Sequence, residues 1–180
     1  MIFGGKMETA IFGGGCFWCM EPVFQALDGV DEVQPGYCGG HVEHPTYEQV
    51  CNQDTGHVEV VRVTFDPARV RYRSLLEVFF GTHDPTTPDR QGGDVGPQYA
   101  SVVFFTGEAQ RKEAQAVKDE VQQALGVPVC TRIEPAGPFW PAEALHKDYY
   151  RRNPQQGYCQ VVIAPKLAKF RKRYAALLRD

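Results

Sequence analysis

The chain has 180 residues, enough for one domain with a substantial core. Hydrophobic residues make up 43% and charged residues 23%, the balance of a water-soluble globular domain. The formal net charge of -3 lacks the basic excess of a nucleic-acid footprint, and no run approaches the ~20 apolar residues of a membrane span.

The elements follow from periodicity in chain order. Residues 1–8 read as an N-terminal extension, with Met1 or Met7 as the start. Lys6 and Glu8 interrupt any apolar stretch, so no secretory signal is expected. The expected location is therefore the reducing cytoplasm, where six cysteines serve as catalytic, metal-binding or buried groups rather than as a disulfide framework. Thr9–Phe12 reads as a strand running into Gly13-Gly14-Gly15, Cys16–Leu27 as a helix and Val30–Tyr37 as a strand. Residues 38–56, rich in Gly, Pro, Asn and Asp, form a long loop of the kind that carries function. Val58–Phe65 alternates, as a strand with one solvated face does.

Arg73–Thr82 follows as a helix, residues 84–98 as a second long loop, and Ala100–Thr106 as an apolar strand. Gly107–Leu125 is the clearest amphipathic helix. Then come a strand over Val127–Ile133, a helix over Ala142–Arg152, a turn at Asn153–Gly157 and a basic amphipathic helix over Lys166–Leu178. The central order, β-α-β-β-α-β, predicts an α+β fold: a two-layer sandwich with a ferredoxin-like sheet and helices on one face. One catalytic domain is expected, with residues 153–180 as a C-terminal segment.

The most informative stretch is Gly13-Gly14-Gly15-Cys16-Phe17-Trp18-Cys19. Glycines permit a tight turn, and a cysteine at a helix start meets free N–H groups that favour its thiolate. Pro22 leaves two possibilities: an irregular first turn, or a helix that begins after Cys16. On spacing alone Cys16 and Cys19 could be packing residues, half of a zinc site or a thioredoxin-like dithiol. The zinc reading lacks a second Cys-x-x-Cys pair.

Gly14-Gly15-Cys16-Phe17-Trp18 resembles the signature of the A-type peptide methionine sulfoxide reductases. Further segments resemble that family in the same order: Gly36-Tyr37-Cys38-Gly39-Gly40, His44-Pro45-Thr46-Tyr47-Glu48-Gln49-Val50-Cys51, Thr55-Gly56-His57-Val58-Glu59 and Asp94-Val95-Gly96-Pro97-Gln98-Tyr99. Pro141-Ala142-Glu143 with His146, and Gly157-Tyr158-Cys159, complete the set. His44, Gly93 and Pro97 depart from the family's usual Asn, Asn and Thr.

The resemblance implies a reductase of the S epimer of methionine sulfoxide, free or in proteins. It implies a monomer with no bound cofactor or metal, recycled by thioredoxin and serving protein repair. Cys16 would be the nucleophile and Glu59 the general acid, although alternation alone would leave Glu59 facing solvent. Tyr47 and Tyr99 would donate to the sulfoxide oxygen, much as an oxyanion hole does. Phe17 and Trp18 would hold the substrate methyl, Asp94 its polar end, and His146 would support the site from behind. A second thiol must condense with the Cys16 sulfenic acid. Cys159 is preferred, Cys19 follows, and Cys38 is a third candidate; Cys51 and Cys130 read as buried small residues.

Overall fold

The computed structural model describes residues 6–179. Most of the N-terminal extension expected over residues 1–8 lies outside the described residues, and Glu8 already belongs to the first strand. β1 (Glu8–Gly14) leads into α1 (Phe17–Gln25) and β2 (Val30–Cys38). The first long loop contains a short helix, α2 (Tyr47–Cys51), and ends in β3 (Val58–Phe65). After α3 (Tyr72–Thr82), the second long loop contains a small hairpin, β4 (Arg90–Gln91) with β5 (Asp94–Val95). The chain continues through β6 (Ser101–Phe105), α4 (Glu108–Leu125), β7 (Arg132–Pro135) and β8 (Phe139–Pro141). It closes with α5 (Tyr149–Arg152) and α6 (Ala164–Arg173).

The main sheet has the order β7-β6-β1-β3-β2-β8. β3 inserts between β1 and β2, antiparallel to both, and β6 pairs antiparallel with the other edge of β1. This is the expected ferredoxin-like core, with β7 and β8 added at its edges. On one face, Phe12 stacks on Phe24 of α1 at 5.3 Å and on Phe79 of α3 at 5.0 Å. Val61, Val63, Phe65 and Val103 share that face with Ala114 and Val117 of α4 and Phe170 of α6.

The opposite face is covered too, which corrects the expected solvated side of β3. Ile11, Val60, Val102 and Phe104 pack under Ala136 and Phe139, and the Arg62 guanidinium lies 4.3 Å over the Phe139 ring. The strand that supplies this cover, β8, was not legible. It is three residues long, follows Pro138, ends on Pro141, and takes its ladder from Gly36–Cys38.

Other boundaries move for local reasons. The helix expected over Ala142–Arg152 breaks at Asp148, whose φ of 56° is left-handed. The buried Glu21 carboxylate holds that kink by accepting the Asp148 N–H at 2.9 and 3.1 Å. The strand expected over Val127–Ile133 begins only at Arg132. Pro128 has no N–H, Val129 gives its own to the Gln122 side chain, and Cys130 gives its own to Pro85 O. The last helix starts earlier than Lys166, through a wide turn over Cys159–Ile163, and ends at Arg173. Pro165 is tolerated there because it falls in the first turn of α6.

Phe12 lies at the centre of the main core and is fully buried. Phe12→Ala should cost about 3–5 kcal/mol in urea unfolding, from lost burial plus a cavity. A loss below about 1 kcal/mol would contradict this packing.

Candidate active site

Cys16 sits immediately before α1, with extended backbone (φ -66°, ψ 129°). Of the two possibilities raised by Pro22, the second holds: the helix begins at Phe17. Gly15, with φ 98°, supplies the turn that brings β1 into the helix. Cys16 is 8% exposed, at the edge of a pocket rather than on the surface.

Glu59 lies opposite Tyr37 in the β2–β3 ladder, on the sheet face that carries α1. It is fully buried, and its Oε1 accepts the Phe17 N–H at 3.1 Å. Its Oε2 has no hydrogen-bond partner. Burial pushes the Glu59 carboxyl up to about 8, against the lowering effect of the Phe17 N–H. At neutral pH it is therefore an acid holding a proton, with one oxygen uncommitted.

An aromatic wall stands beside it. Trp18 donates from Nε1 to His146 Nδ1 at 3.0 Å, and Phe17 and Tyr47 both pack on the His146 ring. Burial, with the Glu59 charge next in effect, holds the Tyr47 and Tyr99 hydroxyls well above the usual range, so both keep their protons. A Thr-x-x-Gln capping box starts α2: Thr46 Oγ1 accepts the Gln49 N–H, and Gln49 Oε1 accepts the Thr46 N–H. Glu143 then clasps this element from behind. It accepts the Tyr37 hydroxyl at 2.9 Å and the Tyr47 N–H at 2.8 Å. His57 ties the same loop down, accepting the Gly40 N–H at Nδ1 and contacting Val42 O through Nε2 at 2.7 Å. A Cβ on Gly40 would meet Thr55 O at 2.4 Å, so only glycine fits there.

Three thiols share one cluster: Cys16, Cys19 and Cys159, packed with Ile163. The Cys16 thiol is pushed up by burial, with the neighbouring Cys19 adding to the effect. Cys16 in turn draws Cys19 down to about 7, with Lys166 adding to the effect. Cys159 is fully buried, and Cys19 is the thiol whose charge acts on it. Tyr158 donates to Asp94 Oδ2 at 2.6 Å, and its hydroxyl lies 3.4 Å from Cys19 Sγ. Tyr149 stacks on Trp18 at 3.8 Å, so the C-terminal segment lies over the aromatic wall.

The structure brings together Cys16, Phe17, Trp18, Cys19, Tyr47, Glu59, Asp94, Tyr99, His146 and Cys159. It places Cys38 elsewhere, in the cluster on the opposite sheet face with Ile11 and Val60. Cys51 and Cys130 are only half-buried, which corrects their reading as buried small residues. Glu143, Tyr149 and Tyr158 were not singled out by sequence reasoning. Glu143 and Tyr158 each had one signal, their places in the Pro-Ala-Glu and Gly-Tyr-Cys segments; Tyr149 had none beyond aromaticity. Among the described residues, no three His, Cys, Asp or Glu side chains are placed to hold a metal ion, and no helix is long and apolar enough to cross a membrane.

A thiol cluster beside a protonated buried acid is the equipment of a thiol-dependent oxidoreductase. Comparison with known proteins narrows the class. The sequence model of peptide methionine sulfoxide reductase matches residues 8–178. A peptide methionine sulfoxide reductase MsrA of Chromobacterium violaceum is 54% identical over 176 residues, covering 97% of this chain and all of the relative. The crystal structure of Mxr1 from Saccharomyces cerevisiae in reduced form superposes with a TM-score of 0.82 at 35% identity, over 86% of this chain and 90% of that one. The structure of Mxr1 in complex with Trx2 superposes at 0.58 and 27% identity, over 82% and 89%. This chain belongs to the peptide methionine sulfoxide reductase family.

Two measurements check the geometry. Glu59 has a raised carboxyl in the folded chain, so its contribution to stability is fully present below about pH 4.5. The contribution is lost as pH rises through about 8, because the unfolded chain sheds the proton first. Glu59→Gln, which cannot titrate, should gain on the wild type by up to about 5 kcal/mol across that window in urea unfolding. A flat difference would show that Glu59 is ionised when folded. Glu143→Ala leaves the buried Tyr37 hydroxyl without an acceptor and should cost about 1–3 kcal/mol. Unchanged stability would rule out the clasp.

Proposed function

We propose that this chain is a cytoplasmic repair enzyme that reduces the S epimer of methionine sulfoxide, free and in proteins. The observation that carries the reading is the uncommitted Oε2 of the protonated Glu59, buried beside Cys16 and the aromatic wall. A buried acid with no acceptor suits a substrate that brings an oxygen. Tyr47 and Tyr99 add two further protonated hydroxyls to the same space. Phe17 and Trp18 offer the apolar surface a methyl group needs.

The chemistry follows from these groups. Cys16 loses its proton to water, and the Cys16 thiolate attacks the sulfoxide sulfur. Glu59 gives its proton to the oxygen, which passes to Cys16. The products are methionine, a Cys16 sulfenic acid and the Glu59 carboxylate, which regains a proton from water. A thiol then condenses with the sulfenic acid, releasing water and forming a disulfide. Cys19, the thiol that acts on Cys16, is favoured for this step. Cys159, beside Cys19, is placed to take the disulfide onward. This order reverses the preference drawn from sequence. The yeast relative's complex with Trx2 supports thioredoxin as the source of electrons. The scheme uses no bound cofactor, and every group comes from one chain, so a monomer suffices.

The alternative, a general dithiol oxidoreductase, would use Cys16 and Cys19 but has no task for Glu59, Tyr47 or Tyr99. Coupled to thioredoxin, thioredoxin reductase and NADPH, the protein should turn over the S epimer and leave the R epimer untouched. Turnover independent of the epimer would sink the proposal. Cys16→Ser should abolish methionine formation even in a single turnover. For the second thiol, peptide mapping after one equivalent of sulfoxide should find Cys19 in the disulfide, bonded to Cys16 or, once it is passed on, to Cys159. Cys16–Cys159 alone would restore the sequence-based preference.

A further inference from the structure

The Cys16–Cys19 pair has a second open side. The aromatic wall is covered by Tyr149 and Tyr158, yet a groove of about 710 Å³ reaches both sulfurs from the other direction. It runs between α6 and the second long loop, and neither Glu59 nor Trp18 lines it. Its volume falls within the range that holds small-molecule ligands.

Its charges are uneven. Lys166, Lys169 and Arg173 line the α6 wall. Their spacing of three and four residues puts them on one helix face. Among the described residues none of the three pairs with a carboxylate, and Arg173 donates only to Gly81 O at 3.3 Å. The two acids across the groove are committed elsewhere. Asp94 accepts the Tyr158 hydroxyl, and Asp84 accepts the Thr86 N–H at 2.9 Å and its hydroxyl at 2.5 Å. The groove therefore offers three free cations above two thiols.

We propose that this groove binds a small thiol carrying carboxylates, which reduces the enzyme disulfide directly, without a protein reductant. The inference rests on the disulfide chemistry proposed above. Before Cys159 takes the disulfide onward, the small thiolate attacks Cys16 Sγ of the Cys16–Cys19 bond, forming a mixed disulfide and releasing Cys19 as thiolate. Lys166 and the Tyr158 hydroxyl stabilise that leaving group. A second small thiolate attacks the sulfur of the first, forming the small disulfide and releasing Cys16 as thiolate. Two thiols are oxidised, one enzyme disulfide is reduced, and the two protons go to the released cysteines. The covered aromatic wall and the open groove divide the labour: substrate meets Cys16 from one side and reductant from the other.

The test uses the full chain, oxidised by one equivalent of methionine sulfoxide, with its disulfide first mapped by mass spectrometry. Reduction is then followed by stopped flow with glutathione and with its diethyl ester, each rate expressed per thiolate. The two share a scaffold, and the ester lacks both carboxylates. Glutathione should react about 10-fold faster at low ionic strength. The advantage should collapse near 1 M salt, where the screening length is about 3 Å. Lys169→Glu should remove most of it. Equal rates for the two thiols in the wild type would overturn the groove as a binding site, whatever the variant does. A map with no disulfide at Cys16 or Cys19 would instead overturn the underlying disulfide reading.

Discussion

The hydrogen bond from the Phe17 N–H to the buried Glu59 carboxyl joins the two halves of the site. Phe17 opens α1, directly after Cys16, and Glu59 stands in the middle of β3. A helix N-terminus ordinarily favours a carboxylate. Here burial outweighs it, and the group keeps its proton near neutral pH. The same contact fixes the Cys16 thiol against the Glu59 acid, two groups that come from separate elements. The Gly15 turn, the β1–β3 register and the packing of Phe12 on Phe24 all serve to hold α1 at that point.

Around this contact the chain arranges one wet and one dry requirement. The acid must be dry to stay protonated, and the sheet face beneath α1 supplies that. The thiols must meet water-borne partners, and they lie at the edge where the C-terminal segment crosses. Glu21 anchors the segment by holding the left-handed Asp148. From there Tyr149 reaches Trp18, and Tyr158 reaches Asp94 and Cys19. Access to the aromatic wall therefore depends on contacts made by two aromatic side chains, which are easier to release than a packed strand.

Much of the frame was legible in the sequence. Alternation and helical periods located β1, β2, β3, α3, β6 and α4, because each buries a regular face against the others. The shortest elements were not legible. β8 has three residues, and the α2 capping box was hidden in a loop rich in turn formers. The break at Asp148 depends on Glu21, a residue 127 positions away, which no local pattern reports. At the site, Cys16 was visible from the glycines before it. Glu59 was not visible from periodicity, which placed it in solvent; its burial comes from α1 lying across β3. The motif order supplied what the pattern could not. Cys19 and Cys159 both meet Cys16 in one cluster, a convergence that sequence spacing permits but does not state.

The proposed transfer of a sulfoxide oxygen to Cys16, with a proton from Glu59, is tested most directly by stopping the reaction after that transfer. A Cys19→Ser, Cys159→Ser chain treated with the S epimer and a sulfenic-acid trap such as dimedone should yield one methionine per chain and one adduct, on Cys16. Methionine without that adduct, or an adduct on another cysteine, would contradict the account.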